Sequence, residues 1–218
     1  MKRQSPRGFT LVEMLTVMAV IAILASLILS VNGFVQRKAA TSRAEGEIAA
    51  MSAQCESYKA DNGSYPRSNK TDELDSKDPT KAGNPNSSAF KEANLELYRA
   101  LSGDAEPKNA PDGKPETKPY FEFKRDQLSG KKGTNGQFTE VYFIMDPFGN
   151  PYGYSTAGMA GEEAYQAELS RKPETPRPST SMGHNTGIDI WSTGGSTSTA
   201  RDPNTNGPKD VKKWIKNW

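Results

Sequence analysis

From Phe9 to Val31 the chain reads FTLVEMLTVMAVIAILASLILSV, an almost unbroken apolar run. Wound as a helix rising about 1.5 Å per residue, it reaches roughly 35 Å, enough to cross a bilayer core of about 30 Å. This run fixes the architecture: a membrane helix first, then a polar remainder that must find its core elsewhere. The segment ahead of it, MKRQSPRG, is short and basic. An ordinary secretory signal has an apolar stretch of about 7–15 residues and a small-residue cut after it. This run is longer, and an acid, Glu13, interrupts its start. An ionisable side chain inside a membrane segment costs about 2.5–3.5 kcal/mol on insertion scales, so one that persists has a function. The bland alternative is a plain signal anchor with a chance glutamate.

Gly8-Phe9-Thr10-Leu11-Val12-Glu13 resembles the class III signal of type IV pilins and type II secretion pseudopilins. The resemblance implies that a dedicated aspartic prepilin peptidase cuts between Gly8 and Phe9 on the cytoplasmic side, and that Phe9 is then N-methylated. Cleavage creates an amine close to Glu13, and two opposite charges in low dielectric are tolerable only when paired. Glu13 of one subunit pairing with the amine of a neighbour would set their axial register; pairing within one chain is the alternative. Charge does not orient the span, because Lys2, Arg3 and Arg7 before it are matched by Arg37, Lys38 and Arg43 after it. The cytoplasmic N-terminus comes from the resemblance.

No proline occurs between Phe9 and Asn62. Beyond the span, Ala44, Ile48, Met51, Cys55 and Tyr58 step by three or four residues, the spacing of one apolar stripe on a helix. That stripe is expected to pack on a sheet, with Cys55 as a buried structural thiol. One helix of roughly 50 residues would be near 80 Å long. Asn62-Gly63 is its stop signal, and Asp61-Asn62-Gly63-Ser64-Tyr65-Pro66 resembles the pseudopilin pattern at this point.

Residues 67–86 are polar and read as a loop, Ser88–Leu101 as a short helix capped by Gly103, and 102–119 as a Pro- and Lys-rich loop. Strand candidates are Tyr120–Phe123, Thr139–Met145, Tyr152–Ser155 and Ile188–Ser192, giving one small antiparallel sheet of three or four strands. Gly161–Leu169 reads as a helical insert and 171–187 as flexible. Asp146-Pro147-Phe148-Gly149-Asn150-Pro151-Tyr152-Gly153-Tyr154 resembles the D-P-W-G-N-P-Y-x-Y signature of the major pseudopilin. Asp189-Ile190-Trp191-Ser192-Thr193-Gly194 resembles its D-I-x-S-x-G, and Asp210-Val211-Lys212-Lys213-Trp214 its D-I-x-N-W ending. Asp-Pro and Asn-Pro around a glycine build a tight turn, so the first of these marks the fold and is no catalytic site. The chain departs from the family in its length, in its insertion between Gly158 and Gly187, and in Phe148 for tryptophan.

The resemblance also implies calcium. Asp202-Pro203-Asn204-Thr205-Asn206-Gly207 places oxygen side chains at alternate positions before a glycine, like the front half of an EF-hand loop. Asp202, Asn204, Asn206 and Asp210 are the candidate ligands, with carbonyls near Thr193 as helpers. Against this, the closing glutamate is replaced by Lys213, and Gly195-Ser196 stands where the family has an acid. Asp210 would otherwise cap a helix with Val211, Trp214, Ile215 and Trp218 on one face.

Composition closes other routes. Without Lys2, Arg3 and Arg7 the basic count falls from 28 to 25 against 26 acidic residues, so nucleic-acid binding is not expected. A single cysteine forbids an intrachain disulfide, and a single histidine excludes a His-rich zinc site. No catalytic constellation is present.

The expected fold is α+β and pilin-like: a long N-terminal helix, transmembrane in its first half, on a small antiparallel sheet. The boundaries are 1–8 leader, 9–34 transmembrane helix, 35–63 soluble half of the helix, and 64–218 head with long polar loops. The expected role is a structural subunit of a type II secretion pseudopilus, major pseudopilin-like. The alternatives are a type IV pilus subunit or minor pilin with an adhesive role and, remotely, a membrane-anchored enzyme or binding protein. Expected partners are the prepilin peptidase, other pilin-like subunits, the inner-membrane assembly platform and the membrane. The location is a single pass through the inner membrane, N-terminus cytoplasmic and head periplasmic, or an extracellular pilus.

Overall fold

The computed structural model describes residues 10–107, 115–134, 136–178, 182–200, 203–204 and 207–218, without the side chains of 27–32. The chain divides into two units, Met1–Ala40 and Thr41–Trp218. One proline-free helix, α1 (Leu11–Asn62), begins in the first and ends in the second.

In the first unit the described large apolar side chains of α1 are exposed. Leu11, Val12, Met14, Leu15, Val17, Met18, Val20, Ile21, Ile23 and Leu24 are all exposed, all round the helix. Among the described residues no helix is long and apolar enough to cross a membrane. Leu11–Ser26 rises only about 24 Å, and the sequence stays apolar from Leu27 to Val31.

The second unit is an α+β head in which the long helix packs on small antiparallel sheets. The stripe Ala44, Ile48, Met51 and Cys55 is buried, as its spacing predicts. It shares a core with Leu97, Tyr98 and Leu101 of α4 (Ser88–Ser102) and with Val141, Ile144, Tyr152, Tyr154, Ile190 and Ile215. Gly63 stops α1 at φ 78°, and Gly103 caps α4 at φ 75°.

The single predicted sheet is two sheets. β1 (Leu128–Lys132) pairs antiparallel with β2 (Phe138–Ile144); β3 (Gly153–Ser155), β4 (Asp189–Ser192) and β5 (Ile215–Lys216) form the other, in the order β3-β4-β5. The turn Asp146–Asn150 separates them, and buried Asn94 of α4 bridges the gap. Its amide donates to the carbonyls of Ile144 and Tyr152, and its oxygen accepts the Ile144 N–H.

Other sequence expectations change in the loops and at the C-terminus. Tyr120–Phe123 is not a strand: the N–H groups of Tyr120 and Phe121 both turn to the Leu101 carbonyl, while the rings pack on the core. The 67–86 stretch contains α2 (Asn69–Glu73) and α3 (Pro79–Ala82), the latter capped by Asp78. The expected helical insert forms, over the longer span α5 (Ala157–Arg171), and its return is bonded to the head: Gly183 N–H donates to Asp75, His184 and Asn185 N–H to buried Asp189. The C-terminal helix does not form. A 3₁₀ turn at Val211–Lys213 gives way to β5, because Ile215 pairs with Ser192.

Candidate functional site

The N-terminal site is built by three hydrogen bonds at the start of α1. The Thr10 N–H donates to Glu13 Oε2 at 2.8 Å, the Thr10 hydroxyl donates to the same oxygen at 2.7 Å, and the Glu13 N–H donates to Thr10 Oγ1 at 3.2 Å. This is a reciprocal capping box, satisfying donors that a helix start leaves without partners. Both residues are exposed. Sequence reasoning singled out Glu13 and missed Thr10, although T-x-x-E before an apolar run is the capping signature. Gly8 and Phe9 lie outside the described residues.

The head motifs converge on two buried aspartates. Asp146 Oδ1 accepts from Phe148 N–H at 3.0 Å and Asn150 N–H at 2.8 Å; Oδ2 accepts the Ser192 hydroxyl at 2.5 Å. Burial raises this carboxyl above the ordinary aspartate range, and the Ser192 and backbone donors pull it back. Asp189, at the head of β4, accepts the Ser76 hydroxyl at 2.5 Å and two backbone N–H groups. Both carboxylates close turns through backbone N–H groups. Tyr152 and Tyr154, the two aromatics of Y-G-Y, reach Glu47 Oε2 of α1 and the Pro66 carbonyl, each at 2.6 Å.

In the C-terminal loop, Asp202 and Asn206 lie outside the described residues, and Asn204 lies within them. Asp210 Oδ2 accepts the Ser196 hydroxyl at 2.8 Å, and Oδ1 pairs with Lys213 Nζ at 2.9 Å. Lys213 and Ser196 hold the carboxyl below the ordinary aspartate range, with Lys209 adding positive charge. The Thr193 carbonyl accepts the Ser196 N–H. The leftover oxygen on this turn is buried Thr193 Oγ1, a neutral hydroxyl. Calcium takes six to eight oxygens and favours carboxylates, and among the described residues no three His, Cys, Asp or Glu cluster. Of the four candidate ligands, Asn204 and Asp210 are described and Asp202 and Asn206 are not.

The prokaryotic N-terminal methylation motif matches residues 3–29, the stretch that holds the capping box. The chain is 39% identical over 66 residues to the type II secretion system core protein G of Klebsiella michiganensis, across 30% of this chain and 46% of that protein. It is 36% identical over 85 residues to the core protein G of Pseudomonas aeruginosa, across 39% of this chain and 58% of that protein. Over these segments the chain is similar to type II secretion core proteins G, and its start carries the methylation motif. It spans about half the length of these curated relatives. No solved structure matches it.

Proposed function

We propose that this chain is a structural subunit of a type II secretion pseudopilus, of the major pseudopilin kind. Cleavage between Gly8 and Phe9 and N-methylation of Phe9 release it for assembly. Residues 9–34 then span the inner membrane once, with the N-terminus cytoplasmic and the head in the periplasm. Its partners are the prepilin peptidase, other copies of itself and the assembly platform in the inner membrane. No catalysis enters this reading.

One observation carries it: the methylation motif at 3–29 runs directly into a helix whose apolar side chains are exposed all round. Exposed apolar surface on that scale needs lipid or a neighbouring helix. Glu13 is poised for a second partner, since its Oε1 makes none of the three capping bonds.

The test is mass spectrometry of the protein recovered from its native membrane. The expected N-terminal peptide begins at an N-methylated Phe9. An intact Met1, or a cut after the apolar run, would sink the proposal.

A second reading, a type IV pilus subunit displayed at the surface, draws on how little of this chain the relatives cover, 30% and 39%. The two separate on location. Immunogold labelling of sheared filaments outside the cell supports display; loss of an exported enzyme on deletion supports the pseudopilus.

A further inference from the structure

A groove of about 490 Å³ runs between α1 and the extended segment that leads into β1. Ser42, Gly46 and Ala50 line it from α1, and Phe121 and Glu122 line it from the facing segment. A Cβ on Gly46 would meet nothing within 4 Å, so the helix side of the groove is bare. Its charges do not balance. Two cations, Arg43 and Lys124, share the lining with three carboxylates, Glu47, Glu122 and Asp126, which leaves one negative charge in excess. Arg43 is spent on Glu47 and Asp126, each at 2.7 Å. Lys124 adds its charge beside Asp126. The exposed Glu122 carboxylate is left without a hydrogen bond or ion pair among the described residues.

The chain carries a surface that matches this groove. Phe34 of α1 is 76% exposed. Lys38 is exposed and has no ion-pair partner among the described residues. Residues four apart on a helix share a face, with about 5–6 Å between their Cβ atoms. Phe34 and Lys38 therefore present an apolar ring with an ammonium one turn further on. The groove offers the complement, an aromatic ring and a lone carboxylate on adjacent residues. An anionic lipid headgroup would meet the excess negative charge, so lipid is the poorer occupant.

We infer that this groove seats the Phe34–Lys38 stretch of α1 from a second copy of the chain, with Phe34 against Phe121 and Gly46 and with Lys38 on Glu122. The inference rests on the filament reading and adds to it the place where one subunit holds the next. Burial of the Phe34 ring supplies the attraction. The exposed ion pair adds little affinity and fixes register.

The experiment is a charge swap in cells producing the full-length protein, read as the yield of sheared filaments. Glu122→Lys and Lys38→Glu each set like charges against each other across the contact, and each is expected to lower the yield about tenfold. The two together are expected to restore it. Failure of the double variant to recover overturns the inference. A second measurement does not depend on yield. Oxidation of filaments carrying Lys38→Cys with Glu122→Cys is expected to give a ladder of this chain beyond the dimer, while either cysteine alone stops at the dimer. The native Cys55 is buried and stays out of the reaction. A disulfide closed within one chain, or bands that contain another protein, overturns the inference. Filaments of N-methylated subunits that show neither rescue nor ladder overturn this contact and leave the subunit reading standing. A wild-type chain that keeps its leader and forms no filaments overturns both.

Discussion

Asp146 and Ser192 are 46 residues apart and share a 2.5 Å hydrogen bond in which the hydroxyl donates to a buried carboxylate. The bond joins the turn between the two sheets to the last residue of β4. Ser192→Ala is expected to cost about 1.5–3 kcal/mol at neutral pH, the range for a hydrogen bond to a charged group. Burial sets the folded carboxyl above its unfolded value near 3.8. Its ionisation therefore opposes folding: the stabilising contribution is full below 3.8 and is lost as pH rises through the folded value. Removing the hydroxyl raises the folded value further. The deficit of the variant should shrink as pH falls toward 3.8, and urea unfolding at several pH values checks this. A pH-independent deficit would contradict it.

Gly153 and Trp191 face each other across β3 and β4. A Cβ at 153 would lie 2.1 Å from Trp191 Cε2, inside the ring. The glycine is there to make room for the indole, which stacks on Trp214 and meets Phe90 edge-on. Gly153→Ala should cost about 1–3 kcal/mol by overpacking, and Trp191→Leu about 2–4 kcal/mol by cavity formation. In the double variant the added methyl enters the vacated space, so the summed cost should be undershot by at least ~1 kcal/mol. Strict additivity would show that the two positions are uncoupled.

Tyr152 ties the sheet to α1. Its hydroxyl donates to Glu47 Oε2, while Arg43 binds Glu47 Oε1 at 2.7 Å and reaches Asp126 at 2.7 Å. Tyr152 is fully buried and burial pushes its phenol far up, so it donates at any physiological pH. Tyr152→Phe should lower stability by about 1.5–3 kcal/mol, because Glu47 Oε2 loses its donor while Oε1 keeps Arg43. Glu47→Ala should remove most of that penalty from the double variant. Denaturant midpoints with unchanged slopes measure both.

The parts of this fold that sequence reveals are those where one local rule decides. Ala44, Ile48, Met51 and Cys55 are legible because burial on a helix imprints a 3.6-residue period. Gly63 and Gly103 are legible because only glycine takes their positive φ cheaply. Where two rules compete, the reading fails. Leu128–Lys132 carries no strand signal, and Gly130 is explained only by its partner, since a Cβ there would meet the Glu140 carbonyl at 1.9 Å. Tyr120–Phe123 has the composition of a strand, but its N–H groups are taken by Leu101. Val211, Trp214 and Ile215 have helical spacing, and pairing with β4 overrides it. At the N-terminal site Glu13 stood out because a charge in an apolar run is costly, while Thr10, polar but uncharged, drew no notice.

Glu13 and Thr10 now make separable predictions. Thr10 contributes the cap, worth about 1 kcal/mol of helix start, and Glu13 contributes both the cap and a charge with one oxygen outside the capping bonds. If the charge serves assembly by pairing with a neighbour's Phe9 amine, Glu13→Ala and Glu13→Gln should both be cleaved normally and both fail to enter filaments. Glu13→Gln is the sharper variant, because glutamine also completes a capping box. Thr10→Ala keeps the charge and should reduce filament yield less than either. Immunoblots for the shortened chain measure cleavage, and sheared-filament yield measures incorporation. Normal incorporation of Glu13→Gln would assign the residue to the helix cap alone.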